Sequence, residues 1–261
     1  MAADGFLSVT EAKARILAQV SKDRPFETVA LERAAGRTLA KNLAARRTQP
    51  PKAVSAMDGF AVRACDVAEL PVKLKQIGES TAGHGFSGSL GAKETVRIFT
   101  GAPVPEGCDT ILIQEHARAE AGFVEPLQTV AGGRHIRAKG IDFSEGEILL
   151  PAGTRLGAPA IALAAAMNFA GLPLVRRPRV GVLSAGDELV RPGEPIGEDQ
   201  IVATNSFAIA ALIEGAGGEA LDLGIAKDEL GALENSIGAA KESGADLLVT
   251  LGGASVGDYD L

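Results

Sequence analysis

From Arg179 onward the chain alternates between short apolar runs and helix-like stretches, and this alternation limits the fold more than any other feature. Val180 to Leu183 reads as a buried strand. Asn205 to Glu214 reads as a helix capped by Asn205 and stopped by Gly215. Ala220 to Leu223 is strand-like. Asp228 is placed to cap a helix through about Lys241, with Leu230, Leu233 and Ile237 on one face. Asp246 to Leu251 is the next strand. Strand–helix–strand–helix–strand is the front half of a doubly wound parallel sheet. It runs into Gly252-Gly253-Ala254-Ser255-Val256-Gly257-Asp258-Tyr259-Asp260, a glycine-rich turn bearing carboxylates. In such sheets ligands sit at the carboxyl ends of strands, over turns of this kind. A further helix and strands should follow, so the chain reads as the front part of a longer protein.

Upstream the texture differs. Ser8 and Glu11 have capping-box spacing, and Ala12, Ile16 and Val20 then recur every four residues, predicting a helix over about 9–21. A short helix near Leu31 to Ala35 ends at Gly36. Thr48-Gln49-Pro50-Pro51-Lys52 is a breaker. Between about 60 and 130, short apolar runs (Phe60–Val62, Val72–Ile77, Thr95–Phe99, Thr110–Gln114, Phe123–Leu127) alternate with Gly, Pro, Ser and Asp, which predicts an all-β module. Ser80 to Gly91 reads as a hairpin loop within it. Glu147–Leu150 reads as a strand, Pro159–Phe169 as an Ala-rich buried helix, and Arg176-Arg177-Pro178 as a linker.

Composition removes several function classes. The net charge of −7 leaves no global basic field for a nucleic-acid backbone. Two cysteines, Cys65 and Cys108, define neither a disulfide framework nor a zinc site, and His84, His116 and His135 are isolated. The longest apolar stretch, Gly157 to Leu174, is interrupted by Pro and Asn and is too weak for a membrane span. No signal peptide opens the chain, so a cytoplasmic location is expected. Two local basic clusters remain: Arg134, His135, Arg137 and Lys139, and Arg176, Arg177 and Arg179. Either suits a small anion; either also suits a solvated loop or linker.

Four acidic segments stand beside turns. Ser55-Ala-Met-Asp58-Gly-Phe-Ala-Val-Arg63 carries an Asp-Gly pair, locally a turn signal. Asp187 and Glu188 follow a buried strand; paired carboxylates there suit a hard cation, or else the acidic start of a helix. Asp228 is the third and the terminal glycine turn the fourth. Backbone N–H groups of that turn can meet an anion while Asp260 holds Mg²⁺ on its oxygens. Residues after three strands of one parallel sheet emerge on one edge, so a Mg²⁺–phosphate site is expected there.

Taken together, Ser55–Arg63, Thr100–Asp109 (TGAPVPEGCD), Arg137–Asp142, Pro178–Leu189 (PRVGVLSAGDEL), Thr204-Asn205-Ser206 and Gly252–Asp260 (GGASVGDYD) resemble, in order, the motifs of the molybdopterin molybdenumtransferases. The resemblance covers nearly the whole chain. It implies a β-rich inserted domain plus a truncated doubly wound α/β domain of molybdopterin-binding type. Residues 1–47 with 134–177 would form an N-terminal linker or dimerisation domain, 48–133 the β-rich domain, and 178–261 the α/β domain. The implied reaction transfers molybdate into adenylylated molybdopterin with release of AMP, and it requires Mg²⁺. A homodimer is implied, with a pterin adenylyltransferase and molybdoenzymes as partners.

Carried over by motif, Asp58, Thr100, Glu188, Asp228 and Asp260 become the catalytic set. Glu188, Asp228 and Asp260 are the implied metal ligands. Gly252, Gly253, Ser255, Gly257, Arg137, Asp142 and Asn205 become substrate-binding residues. Ala185 stands where the family pattern has Thr, and Ile141 replaces an acid before Asp142. Neither cysteine is needed for molybdenum, because the pterin dithiolene supplies sulfur. Two other readings are an incomplete fragment or scaffold that binds without turnover, and a pterin adenylyltransferase-like domain.

Overall fold

The computed structural model describes residues 7–20 and 25–252. It divides into two compact units, one of residues 1–40 with 172–261, the other of residues 41–171. In the first unit, helix α1 (Val9–Gln19) begins with the anticipated capping box. The Ser8 hydroxyl oxygen accepts from the Glu11 N–H, and the Glu11 carboxylate accepts from the Ser8 N–H. Strand β1 (Phe26–Ala30) follows, then a single 3₁₀ turn, Leu31–Arg33, and Gly36 at positive φ.

The second unit contains β2 (Leu43–Ala44), β3 (Val54–Ser55), β4 (Gly59–Val62), β5 (Leu74–Ser80), β6 (Glu94–Ile98), β7 (Thr110–Ile113), β8 (Ala117–Glu120), β9 (Phe123–Pro126), β10 (Ile136–Arg137), β11 (Ile148–Leu150) and α2 (Ala158–Ala166). Six of these strands form one sheet in the order β7-β4-β6-β5-β9-β8. The pleat sorts its core. Phe60 and Val62 of β4 join Val67, Leu74, Leu112 and Val124, whereas Ala61 between them joins Leu90, Val96, Ile98, Ala102 and Ile111. Aliphatic side chains supply most of both clusters, with Phe60 the aromatic member of the first.

Two expectations fail here. Ser80 to Gly91 is not a hairpin loop, because β5 and β6 run parallel and the chain must cross back between them. The crossover carries Leu90 into the core and packs Phe86 against it. A Cβ on Gly78 or Gly88 would lie 2.4 or 2.6 Å from the Phe86 ring. The glycines therefore make room for that ring. Helix α2 is not buried either: Ala164 is its one buried residue, and its apolar anchors are Met167 and Phe169 just beyond it.

The first unit resumes with β12 (Gly171–Val175), which pairs with β1, then β13 (Arg179–Ala185), β14 (Leu189–Val190), β15 (Ile201–Val202), α3 (Asn205–Ala216), β16 (Glu219–Ala226), α4 (Leu230–Glu242) and β17 (Leu247–Leu251). Strands β16-β13-β17 form the expected parallel sheet, with β13 central. Both helix caps differ from expectation. Thr204 is the N-cap of α3 and Asn205 its first residue, and the helix ends at Gly217, with φ of 95°, rather than at Gly215. Glu229, not Asp228, precedes α4, without a side-chain cap. Arg176 and Arg179 are occupied structurally. Arg176 pairs with Asp246 at 2.7 Å, the other Asp246 oxygen accepts from the Arg179 N–H, and the Arg179 side chain faces Glu219. The Arg176 guanidinium, with the Arg179 N–H, holds the Asp246 carboxyl below its ordinary range.

Glycine positions yield a paired test. A Cβ on Gly59 would lie 2.1 Å from the Leu112 carbonyl oxygen, a backbone atom that moves only if β4 and β7 separate. Gly238, inside α4, has open space around it. Gly59→Ala is expected to cost about 3 kcal/mol or more. Gly238→Ala should stabilise its helix by up to about 1 kcal/mol. Denaturant unfolding of the two variants checks both signs.

Candidate functional site

In the second unit the site is a corner where β4 begins and β6 ends. Asp58 immediately precedes β4, and Thr100 lies two residues beyond β6. Asp58 Oδ1 accepts from the Thr100 N–H at 2.7 Å and from the Thr100 hydroxyl at 2.8 Å. The Thr100 N–H is the larger influence, the hydroxyl the second, and with the positive field of Arg97 they hold the carboxyl below its ordinary 3.8. Both bonds fall on Oδ1, so Oδ2 has no hydrogen-bond partner among the described residues. The neighbouring turn is equally fixed. The buried Ser55 hydroxyl donates to the Met57 carbonyl, and the Gly101 N–H donates to the Ser55 carbonyl.

The first basic cluster is stitched to this corner through its backbone. Residues 136–137 pair with 54–55 as β10 and β3, placing Arg137 opposite Val54. The Ala56 N–H donates to the His135 carbonyl at 2.8 Å. Arg134, Arg137 and Lys139 are exposed. Arg137 lies 3.9 Å from Asp142, whose own N–H is held by the Gln49 carbonyl. Asp58, Thr100, Arg137 and Asp142 thus belong to one unit.

The other candidates belong to the first unit. All three parallel strands point their carboxyl ends the same way, as the alternation requires. A cavity of about 380 Å³ opens there, lined by residues including Ser184, Glu188, Thr204, Asn205, Thr250 and Gly252. Two glycines, Gly252 in its lining and Gly186 in the turn before Glu188, mark close approaches. A Cβ on Gly252, whose φ is 106°, would lie 2.6 Å from the Ala185 carbonyl oxygen. Gly186, with φ of 148°, has the Glu188 carboxylate over its Cα. The acids do not start a helix, because Leu189–Val190 is strand β14.

Asp228 is exposed after β16 and does not line this cavity. Gly253, Ser255, Gly257 and Asp260 lie outside the described residues. Among the described residues, no three His, Cys, Asp or Glu side chains converge as metal ligands. The oxygen-bearing lining of Glu188, Ser184, Thr204 and Asn205 nevertheless suits a hard cation that keeps most of its water. Cys108 is no ligand candidate, since burial pushes its thiol up to about 11.

Two residues of the Asp58 corner escaped the sequence reading, Arg97 and Gln114. The signal was present: an arginine in a β run, on the same alternate face as Thr95 and Phe99.

A parallel α/β layer with a cavity at its strand carboxyl ends defines a domain of the doubly wound class, in which ligands sit at that edge. Comparison with known proteins is more specific. Residues 7–168 match the family model "MoeA N-terminal region (domain I and II)", and residues 181–261 match "Probable molybdopterin binding domain". The chain is 40% identical to the molybdopterin molybdenumtransferase of a Nostoc species over 94% of its length and 57% of the relative's. It is 36% identical to that of Haemophilus influenzae, over 97% and 63%. A crystal structure of a molybdopterin biosynthesis MoeA protein from Pyrococcus horikoshii superposes with a TM-score of 0.85 at 30% identity, covering 94% of this chain and 63% of that one. The chain belongs to the MoeA, or molybdopterin molybdenumtransferase, family. It spans about three fifths of the length of these relatives.

The depressed Asp58 pKa has a definite consequence. The folded state favours ionised Asp58, so this contribution to stability is complete above 3.8 and fades as pH falls through the lower native value. Thr100→Val removes the hydroxyl donor and leaves the stronger N–H bond. The variant should be less stable than wild type at neutral pH, and the gap should close on acidification below 3.8. Thermal midpoints across that range check it; a gap independent of pH would contradict the assignment.

Proposed function

We propose that this chain supplies substrate-binding parts of a molybdenum insertase, which transfers molybdate into adenylylated molybdopterin and releases AMP. One observation carries the reading: both family models match in order, and the cavity at Glu188, Asn205 and Gly252 falls within the second. The glycine-rich run Gly252, Gly253, Ser255 and Gly257 carries backbone N–H groups of the kind that meet a phosphate. Glu188, which lines the cavity, and Asp260 would hold Mg²⁺, with Asp228, which does not line it, as the third motif acid; the ion would supply charge neutralisation on phosphate oxygens. The fit rests on Glu188 in an oxygen-lined cavity.

The chain's own groups supply the rest. Asn205 opens α3 at the cavity, where the helix N-terminus favours an anion. Asp58, its charge maintained by Thr100, can accept a proton or hydrogen bond through Oδ2. Arg137, beside Asp142, can neutralise an anionic substrate group. The pterin substrate, the homodimer, the partner enzymes and a cytoplasmic location belong to this reading. So does the division into 1–47 with 134–177, 48–133 and 178–261. No observation favours a scaffold, and the match over residues 7–168 to a MoeA N-terminal region gives an adenylyltransferase-like domain no support.

The test is AMP release from adenylylated molybdopterin with molybdate and Mg²⁺, using the protein that carries this chain. Glu188→Gln should lower the rate roughly 100-fold. Pterin binding, followed by fluorescence, should persist. Full turnover in the variant removes Glu188 from the metal site, and absence of AMP from the wild-type protein removes the reaction.

A further inference from the structure

Arg97 sits opposite Phe60 in the β6–β4 pairing. Its guanidinium carbon lies 4.9 Å from the Phe60 ring centroid and 4.8 Å from that of Phe99. Nη1 donates to the Gly59 carbonyl at 3.2 Å, and Nη2 donates to the Gln114 side-chain oxygen at 2.7 Å. Gln114 in turn donates its backbone N–H to the Asp58 carbonyl at 3.1 Å. One cation therefore touches the residue after Asp58, the residue before Thr100, and the residue that fixes the Asp58 main chain.

The choice of partners is informative. A half-buried guanidinium usually takes a carboxylate, because an unpaired charge out of water is costly. Here the donors go to a carbonyl and an amide oxygen, and two aromatic faces supply the remaining stabilisation. Asp58 feels the positive field without being locked by a bidentate pair. Lysine could not replace this arrangement, since a point charge lacks the planar fork that reaches two acceptors while stacked between rings.

We propose that Arg97 is a positioning residue for Asp58: it clamps the Asp58–Phe60 and Phe99–Thr100 segments so that Oδ1 stays bonded to Thr100 and Oδ2 faces outward for substrate. Its part in turnover rests on the molybdenum-insertion reading; the clamp itself is a property of the ligand-free protein.

Two variants test it, Arg97→Gln and Arg97→Lys, with Asp58 followed by carboxyl-carbon NMR titration and assigned by its absence in Asp58→Asn. In Arg97→Gln the Asp58 pKa should rise toward its ordinary value. Arg97→Lys keeps the cation but loses the fork, so it should recover part of that shift while its kcat for AMP release stays low. Misplacement of the carboxylate should lower kcat by roughly 100-fold, with KM changing much less. The acid limb of the kcat profile should move to higher pH in Arg97→Gln, because a less acidic Asp58 is protonated sooner. A role through charge or fold stability alone would lower the melting midpoint and leave the Asp58 titration of Arg97→Lys at its wild-type position; that outcome overturns the proposal, as does wild-type kcat in folded Arg97→Lys. If wild type releases no AMP, the insertase reading fails, and the NMR titration still decides the clamp. Should Arg97→Gln fail to fold, the titration of Arg97→Lys decides.

Discussion

Strands β4 and β13 have no free hydrogen-bonding edge and no exposed face, and the candidate site residues are arranged around that constraint. Strand β4 is paired on both sides and every one of its four residues is buried. Strand β13 lies between two parallel neighbours, and its five middle residues are buried. Neither can hold a solvated charge along its length without a large desolvation penalty. Polar groups are displaced to the ends: Asp58 directly before β4, Glu188 shortly after β13. Both candidate sites are the nearest places where a carboxylate can stay hydrated while its backbone belongs to a rigid element.

Close backbone approach is the second consequence. A strand flanked on both sides leaves little room at its termini, and glycine occupies the tightest points. Gly59 lies against the Leu112 carbonyl and Gly252 against the Ala185 carbonyl. At each point a side chain would push apart the strands that define the site. Rigidity there matters because a carboxylate functions only within a narrow range of positions relative to its partner. The Asp58–Thr100 bonds and the Arg97 clamp in one unit, and the Gly186–Glu188 turn in the other, are local answers to the same requirement.

Much of this was legible from the chain. The alternation after Arg179 located three parallel strands and two helices, because a buried parallel strand needs a continuous apolar run and its crossover helix needs a separate periodic stretch. The capping box at Ser8 and Glu11 identified a helix start within its own four residues. The errors lie where the deciding contact is distant. Ser80 to Gly91 has the composition of a hairpin loop, but the parallel register of β5 and β6 is set by β4 and β9 on either side. Asp228 looks like a cap, but Glu229 holds that position and the helix begins at Leu230.

The sequence by itself determined the first helix, the strand–helix alternation after Arg179 and the motif residues, since these depend on local periodicity, turn chemistry and residue type. It also placed the acidic segments around Asp58, Glu188, Asp228 and Asp260 beside turns, because the neighbouring runs are too apolar to hold a carboxylate. Only the tertiary structure decided which groups meet. Asp58 and Thr100 are 42 residues apart, and Arg97 and Gln114 are 17 apart. These contacts arise because pairing β4 with both β6 and β7 fixes three chain segments in register around one carboxylate. Register between distant strands depends on the packing of whole faces, and no local stretch of residues encodes it.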